Sequence, residues 1–362
     1  VFLTKLSLNH FRCYQSLEQT FTQPTTIIDG DNGRGKTALI EAIYWQSTGR
    51  SFRHHKNINL IQHKENQLSV YSEYLTTSNQ STQKLGVSYS RNQKKTIKCN
   101  GELIRRQTDI AQRFPVIAID PGSFLWIDHS PSFRRSYLDW LVFHVEPRYL
   151  PLWKQNQKVQ QHINQLLRKG NTGDLRLWRK KYCELAEKTH LFRQQIVQRI
   201  QQHFKRLIPL FLPELEELHI DYKKGWSGDD LNSELITRQD YHLKQGHINV
   251  GVHKADLVCT INKQSAQVFL SRGQKKLIAV IMYLIFIEVF EEQQHQSPVI
   301  CLDDIDSELD EHALQKLAKY LQKKQRQLFI TTVNGQVIQK YFDAYEVFHV
   351  EQDSQNNAIL IT

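Results

Sequence analysis

Apolar and polar positions change rhythm several times along the chain, and each change marks an element. Val1 to Tyr14 (VFLTKLSLNHFRCY) alternate with the period of two expected of a half-buried strand. Thr25-Thr26-Ile27-Ile28 has the compact pattern of a buried strand, and Leu39, Ile40, Ile43 and Tyr44 then recur at helical spacing. Alternating segments follow at Ser69 to Leu75, Leu85 to Ser90 and Thr96 to Ile104, with Asn100-Gly101 as a hairpin turn inside the last. Val116 to Ile119 reads as a further short strand. From Pro131 the texture becomes glutamine-rich, basic and helical. Val159, Ile163, Leu166 and Leu167 form one face, and Gly170 to Asp174 breaks the pattern. Trp178, Tyr182, Leu185, Thr189, Phe192, Ile196, Ile200 and Phe204 follow at spacings of three and four. This predicts an antiparallel helical hairpin, without the many heptads of a long coiled coil. Leu277 to Phe290 is a 14-residue apolar stretch, too short to span a bilayer, and predicts a buried core helix.

Between the strand at Thr25 and the helix that follows stands GDNGRGKT, with Gly30, Gly35, Lys36 and Thr37 at the G-x-x-x-x-G-K-[ST] spacing of a phosphate-binding loop. Asp31, Asn32, Gly33 and Arg34 complete it. Glycines let successive N–H groups curl around a polyphosphate, Lys36 can reach its terminal oxygens, and the Thr37 hydroxyl can hold Mg²⁺. A chance glycine-rich turn is the competing explanation, and the order strand, loop, helix weighs against it. Pro298-Val299-Ile300-Cys301-Leu302 ends in Asp303 and Asp304, as a buried strand delivering carboxylates to its C-terminal edge would. In a Walker B strand Asp303 would hold Mg²⁺ and Asp304 would polarise the attacking water. The alternative is an N-cap pair for the helix bearing Ala313, Leu314, Leu317 and Leu321. Ser271-Arg272-Gly273-Gln274 precedes the apolar helix, where a hydroxyl, free N–H groups and the positive dipole end make an anion site. Ser271 merely capping that helix is the plainer alternative.

A chain of 362 residues points to a large core with one inserted domain. Net charge is +10, and residues 134 to 206 carry sixteen Lys or Arg against five acids, a local net of +11. That segment suggests a polyanionic partner such as nucleic acid, with a solvated helical face as the bland alternative. Five scattered cysteines and no ligand-spaced Cys/His cluster argue against structural zinc or a disulfide framework. The adjacent His54 and His55 read as ordinary surface or core residues. The opening residues lack the regions of a signal peptide, so the expectation is a cytoplasmic protein without a membrane segment.

Leu270 to Lys276 (LSRGQKK) resembles the signature of ABC-type ATPases, and Ser307-Glu308-Leu309-Asp310 resembles the D-loop of that class. Gln327 to Thr332 resembles the strand beyond it. Three further segments narrow the likeness: Asn9-His10-Phe11-Arg12; Arg134-Arg135 with Leu138-Asp139-Trp140 and Phe143-His144; and Gly251 to Leu257 (GVHKADL). Together these resemble the RecF family, bacterial recombination mediators with an ABC-type head. The resemblance covers residues 2 to 332. It implies an α/β fold: an ABC-type ATPase head with mixed sheets, built from 1–125 and 251–362, plus an inserted, mainly helical basic arm at 126–250. It implies ATP and Mg²⁺ as cofactors. Lys36 and Asp304 would be catalytic, Thr37 and Asp303 would hold the metal, and Arg12, Ser271, Arg272, Gly273, Gln274 and Asp310 would join the phosphate loop in nucleotide binding. It also implies slow, DNA-stimulated hydrolysis, an ATP-dependent homodimer, binding to gapped, single- and double-stranded DNA, and RecO, RecR and RecA as partners.

Two departures stand out. Relatives often carry an acid after the proline at Pro121, where this chain has Gly122-Ser123-Phe124. Many ABC-type proteins place a histidine after the last strand, whereas here Thr331-Thr332-Val333-Asn334 follows, so a sensor there would be a hydroxyl. Another ABC-type DNA-repair or chromosome-structure ATPase is one rival. The 267 positions between Lys36 and Asp303 are too few for a very long coiled coil. A GTPase is disfavoured because Asn262-Lys263-Gln264-Ser265 fails the guanine-reading pattern at its last place. A DNA-binding scaffold with structural ATP is the rival from another class.

Overall fold

A computed structural model describes residues 1–54, 56–76 and 81–361; His55 lies outside the described residues. The chain divides into two compact units, residues 1–124 with 294–362, and residues 125–293.

The first unit is built on two sheets. One is antiparallel and runs from Tyr14–Thr20 through Phe2–Phe11, Gln67–Leu75, Thr82–Ser90 and Lys95–Cys99 to Glu102–Leu103. The hairpin expected at Asn100-Gly101 is present, and both residues take positive φ (51° and 86°). The other sheet has the order Ala358–Ile361, Tyr345–Gln352, Thr25–Asp29, Leu328–Thr331, Val299–Leu302, Val116–Ile119. Its last five strands are parallel, with Ile27 opposite Ile330, and Cys301 opposite both Phe329 and Ala118. Parallel strands covered on both faces lose the polar alternation, which is why TTII, VICL and LFIT read as solid apolar runs. The helix Lys36–Thr48 packs Leu39, Ile40, Ile43 and Trp45 into the core that both sheets share.

The second unit holds the helices Pro131–Val145, Tyr149–Arg168, Leu175–Phe211 and Arg272–Gln294, with a three-stranded sheet ordered Gln264–Ser265, Asp256–Ile261, His219–Lys223. The hairpin forms around the expected break: Val159, Ile163, Leu166 and Leu167 share a core with Tyr182, Leu185 and Ala186. Thr189, the weak member of the heptad-like stripe, is fully buried, and its hydroxyl donates to Leu185 O (2.8 Å). From Ile278 to Phe290 the helix Arg272–Gln294 is buried all round, which explains a sequence apolar except for Glu288, whose carboxylate pairs with Arg206. No helix among the described residues is long and apolar enough to cross a membrane.

Residues 251–293 group with this second unit, whereas the sequence analysis assigned them to the head. Strand pairing is the physical reason: Asp256–Ile261 is antiparallel to His219–Lys223, with Val258 opposite Asp221, so the two sides of residue 250 share a sheet. Helix packing adds to it, with Tyr137 Oη donating to Met282 O (2.6 Å) and Trp140 lying 4.5 Å from Phe286 between ring centroids.

Candidate nucleotide site

The phosphate-binding loop leaves the parallel sheet at the C-terminal end of Thr25–Asp29, the edge where open α/β sheets bind ligands. Two of its glycines are required by shape. Gly30 has φ 140°, and a Cβ there would stand 2.6 Å from Val350 O. Gly35 has φ 124°, and its Cβ would meet Cys13 Sγ at 2.8 Å. Lys36 is buried, and its ammonium donates to Gly30 O (2.6 Å) and Asp31 O (3.0 Å), bracing the curl of the loop. Asp31, Asn32 and Gly33 are exposed at the tip, while Arg34 donates to Gln352 Oε1 (2.7 Å).

The Walker B strand is not the neighbour of the loop strand, because Leu328–Thr331 lies between them. Its last residue spans the gap. Thr331 Oγ1 donates to Asp303 Oδ1 (2.7 Å) and accepts from Asp304 N (2.9 Å), while Thr37 Oγ1 donates to the same Asp303 oxygen (2.9 Å). The ends of two neighbouring strands and the first turn of the helix after the loop thus converge on one carboxylate. Burial raises the Asp303 pKa to about 6, the two hydroxyls pulling down and the Asp304 charge pushing up. Asp304 takes a left-handed conformation (φ 47°, ψ 41°), and its Oδ1 is buried with no hydrogen-bond partner among the described residues. Its pKa is raised by burial too, with Lys36 acting in the opposite direction. Neither aspartate caps the helix Glu311–Leu321; Asp310 does, accepting from Ala313 N (2.8 Å).

These residues fit a polyphosphate with a divalent cation. The glycines open a backbone cradle, Thr37 and Asp303 present hard oxygen donors side by side, and the partnerless Asp304 oxygen is one a reacting water could satisfy.

Arg12 is already engaged by the fold. In a left-handed turn (φ 54°) it grips the fully buried Glu41 with two N–H groups (2.9 and 2.8 Å) and donates to Asn59 O (2.9 Å). Ser271 and Gln274, in the second unit, form a reciprocal cap: Gln274 N donates to Ser271 Oγ (3.2 Å) and Ser271 N to Gln274 Oε1 (2.9 Å). Ser271, Arg272 and Gly273 are exposed, beside the exposed Val268 and Phe269. At Pro121 the loop closes on itself, since Asp120 accepts from Ser123 Oγ (2.5 Å) and Gly122 N (3.1 Å). Sequence reasoning passed over Glu41 and did not give Thr331 its bridging position. A glutamate on the inner side of an apolar helix was the signal for the first; the second needed the strand order.

The fold and the site define an ABC-type ATPase. The RecF/RecN/SMC N terminal domain family matches residues 2–356. The chain is 33% identical over 359 residues to the "DNA replication and repair protein RecF" of Cellvibrio japonicus, covering 96% of this chain and 97% of that one. It is 31% identical over 354 residues to the protein of the same name from Shewanella denitrificans, covering 97% and 98%. Among solved structures, the recombination mediator protein RecF with ATP, of the RecFOR pathway, superposes with a TM-score of 0.86 at 25% identity, covering 100% of this chain and 98% of that one. An Smc head bound to the C-winged helix domain of ScpA superposes at 0.61 with 14% identity over 100% and 98%, a likeness of fold. The chain belongs to the RecF family of DNA replication and repair proteins.

Proposed function

We propose that this protein is an ATP-dependent DNA-binding recombination mediator whose slow, DNA-stimulated ATP hydrolysis resets a homodimeric clamp in the cytoplasm. The observation that carries the reading is the convergence of Thr37 and Thr331 on Asp303, with the buried Asp304 Oδ1, unpartnered among the described residues, beside it. In the proposed site, the N–H groups of Gly30 to Gly35 surround the phosphates, and Lys36 turns its ammonium from the loop carbonyls to the terminal phosphate. Thr37 and Asp303 hold Mg²⁺, which when bound supplies neutralisation of the phosphate charge. Asp304 orients and polarises the attacking water. Ser271 and Gly273 of a second copy close on the same phosphate, with Arg272, Gln274, Arg12 and Asp310 supporting nucleotide binding. The dimer engages gapped DNA and, with RecO and RecR, promotes loading of RecA; the likeness to DNA replication and repair RecF proteins and to a mediator of the RecFOR pathway supports the coarser part of this reading, a DNA-repair role alongside RecO and RecR.

The test is the mass of Asp304→Asn by analytical ultracentrifugation in Mg²⁺ with no nucleotide, ADP or ATP, adding labelled gapped DNA to each. The expected result is a dimer that appears only with ATP and binds the DNA better than the monomer. Ser271→Arg should bind ATP but stay monomeric, and Lys36→Ala should bind ATP weakly. A monomer under all conditions with unchanged DNA affinity would defeat the switch. DNA affinity should fall steeply with salt, with log K dropping by roughly 0.9 per duplex phosphate neutralised for each unit of log salt.

A further inference from the structure

The second unit contains a cleft of about 700 Å³ that the proposed ATP chemistry does not use. Its size lies in the range that holds a nucleotide-sized group, roughly 300–1,000 Å³. One wall is aromatic. Tyr222 and His190 lie nearly parallel, with 16° between their planes and 5.7 Å between centroids, and Trp226 meets His190 edge-on at 5.3 Å. Tyr222 and His190 both keep partial exposure. Burial first, then the charges of Lys224 and Arg193, lower the His190 pKa, so at neutral pH the ring is an uncharged π surface.

The rim is basic. Arg238 is neutralised by Glu234 (2.9 Å), the lining acid, whose other oxygen accepts from Ser227 N (2.6 Å). Lys223, Lys224 and Lys254 remain on the lining. Lys224 Nζ stands 5.0 Å from the Trp226 ring centre and also lies in the field of Glu187. Lys223 and Lys254 are exposed and form no ion pair among the described residues.

Lys254 sits in the GVHKADL segment, whose other members are committed to packing. A Cβ on Gly251 would stand 2.1 Å from Tyr182 Oη, and His253 Nδ1 bonds that same hydroxyl (3.0 Å). Val252 O accepts from Arg193 (2.7 Å), Ala255 O from Arg135 (2.8 Å), and Asp256 is gripped by Arg134 (2.8 and 2.9 Å). Of the seven residues, Lys254 alone lines the cleft.

From this geometry we infer that the cleft seats an unpaired nucleotide of single-stranded DNA, its base against the Tyr222–His190 wall and its flanking phosphates on Lys223 and Lys254. The inference rests on the DNA-binding reading above and deepens it. A base offers its π face to a concave aromatic wall only when unpaired, and stacking of this kind accepts any base. An acidic peptide would satisfy the lysines but make no use of the stacked rings.

The test is fluorescence anisotropy with a labelled oligothymidylate of about twelve nucleotides and a duplex of the same length. The charge-reversal pair Lys223→Glu with Lys254→Glu should weaken oligothymidylate binding more than tenfold and the duplex less than threefold. It should also lower the single-strand salt slope by about 1.4, from two phosphates at roughly 0.7 each. Tyr222→Leu should cost five- to tenfold on the single strand; the lysine pair, both exposed, keeps the test valid should that variant misfold. Equal losses on both DNAs, no loss on either, or thymidine monophosphate binding as tightly as the oligonucleotide would each overturn the inference. Wild type binding duplex but no oligothymidylate defeats this cleft alone, whereas binding neither defeats the DNA reading as well.

Discussion

Two aspartates, one in each unit, the half-buried Asp139 and the buried Asp303, are treated in opposite ways. Asp139 is surrounded by donors: Arg193, 2% exposed, reaches it at 2.7 and 2.8 Å, Trp153 Nε1 donates at 3.0 Å, and Tyr149 Oη donates to it as well. Asp303, 5% exposed, receives two neutral hydroxyls and no cationic donor among the described residues. The first charge is balanced within the fold and serves packing. The second is left with a raised pKa, a burden that a bound cation would relieve. A buried carboxylate short of positive charge therefore points to function, and a saturated one to structure.

The comparison is broken most severely by removing the cation from the balanced site. Arg193→Met strands Asp139 and should cost about 3–5 kcal/mol of unfolding free energy in urea titration. Adding Asp139→Asn should recover most of it; no recovery would mean that Arg193 acts through its bond to Val252 O instead. Next in size is Asp304→Asn, which should raise the hydrolysis barrier on the order of 3 kcal/mol, about a hundredfold in single-turnover rate, while ATP still binds. An unchanged rate removes Asp304 from its role.

The unbalanced site makes the opposite forecast for stability. The folded pKa of Asp303, about 6, lies above its unfolded value, so its contribution is favourable at low pH and is lost as pH rises through 6. Asp303→Asn should therefore stabilise the nucleotide-free protein by about 2 kcal/mol at neutral pH, with the difference vanishing below about pH 4. The same substitution should weaken Mg²⁺-dependent ATP binding. Destabilisation at neutral pH would show that the fold balances this charge after all.

Much of this was legible because the relevant signals are local. GDNGRGKT sets its own geometry through Gly30 and Gly35, and the apolar runs before Asp29 and Asp303 announce strands buried on both faces. The arm's charge was legible in number but not in use. Arg134, Arg199 and Arg206 pair with Asp256, Glu292 and Glu288, acids outside residues 134–206, so the excess of +11 overstates the unpaired charge of that segment. The unit boundary was missed because pairing of 219–223 with 256–261 is a long-range fact, invisible to periodicity. The strands Tyr345–Gln352 and Ala358–Ile361 complete the central sheet, although their sequence carries no motif.

Thr331 gives the smallest and sharpest distinction. Its hydroxyl donates to Asp303 and accepts from Asp304 N, so it positions both carboxylates without itself being placed in contact with substrate. Thr331→Val keeps the volume and the β-branch but removes the donor. The ionised form of Asp303 is then less favoured, and its pKa moves further above 6. The acid limb of hydrolysis should shift to higher pH, with a rate loss at neutral pH of about fivefold, or ~1 kcal/mol. Thr331→Ser, which keeps the hydroxyl, should restore the limb. A residue that merely filled space would respond in reverse: valine would be silent, and serine, with its missing methyl, would be the damaging change.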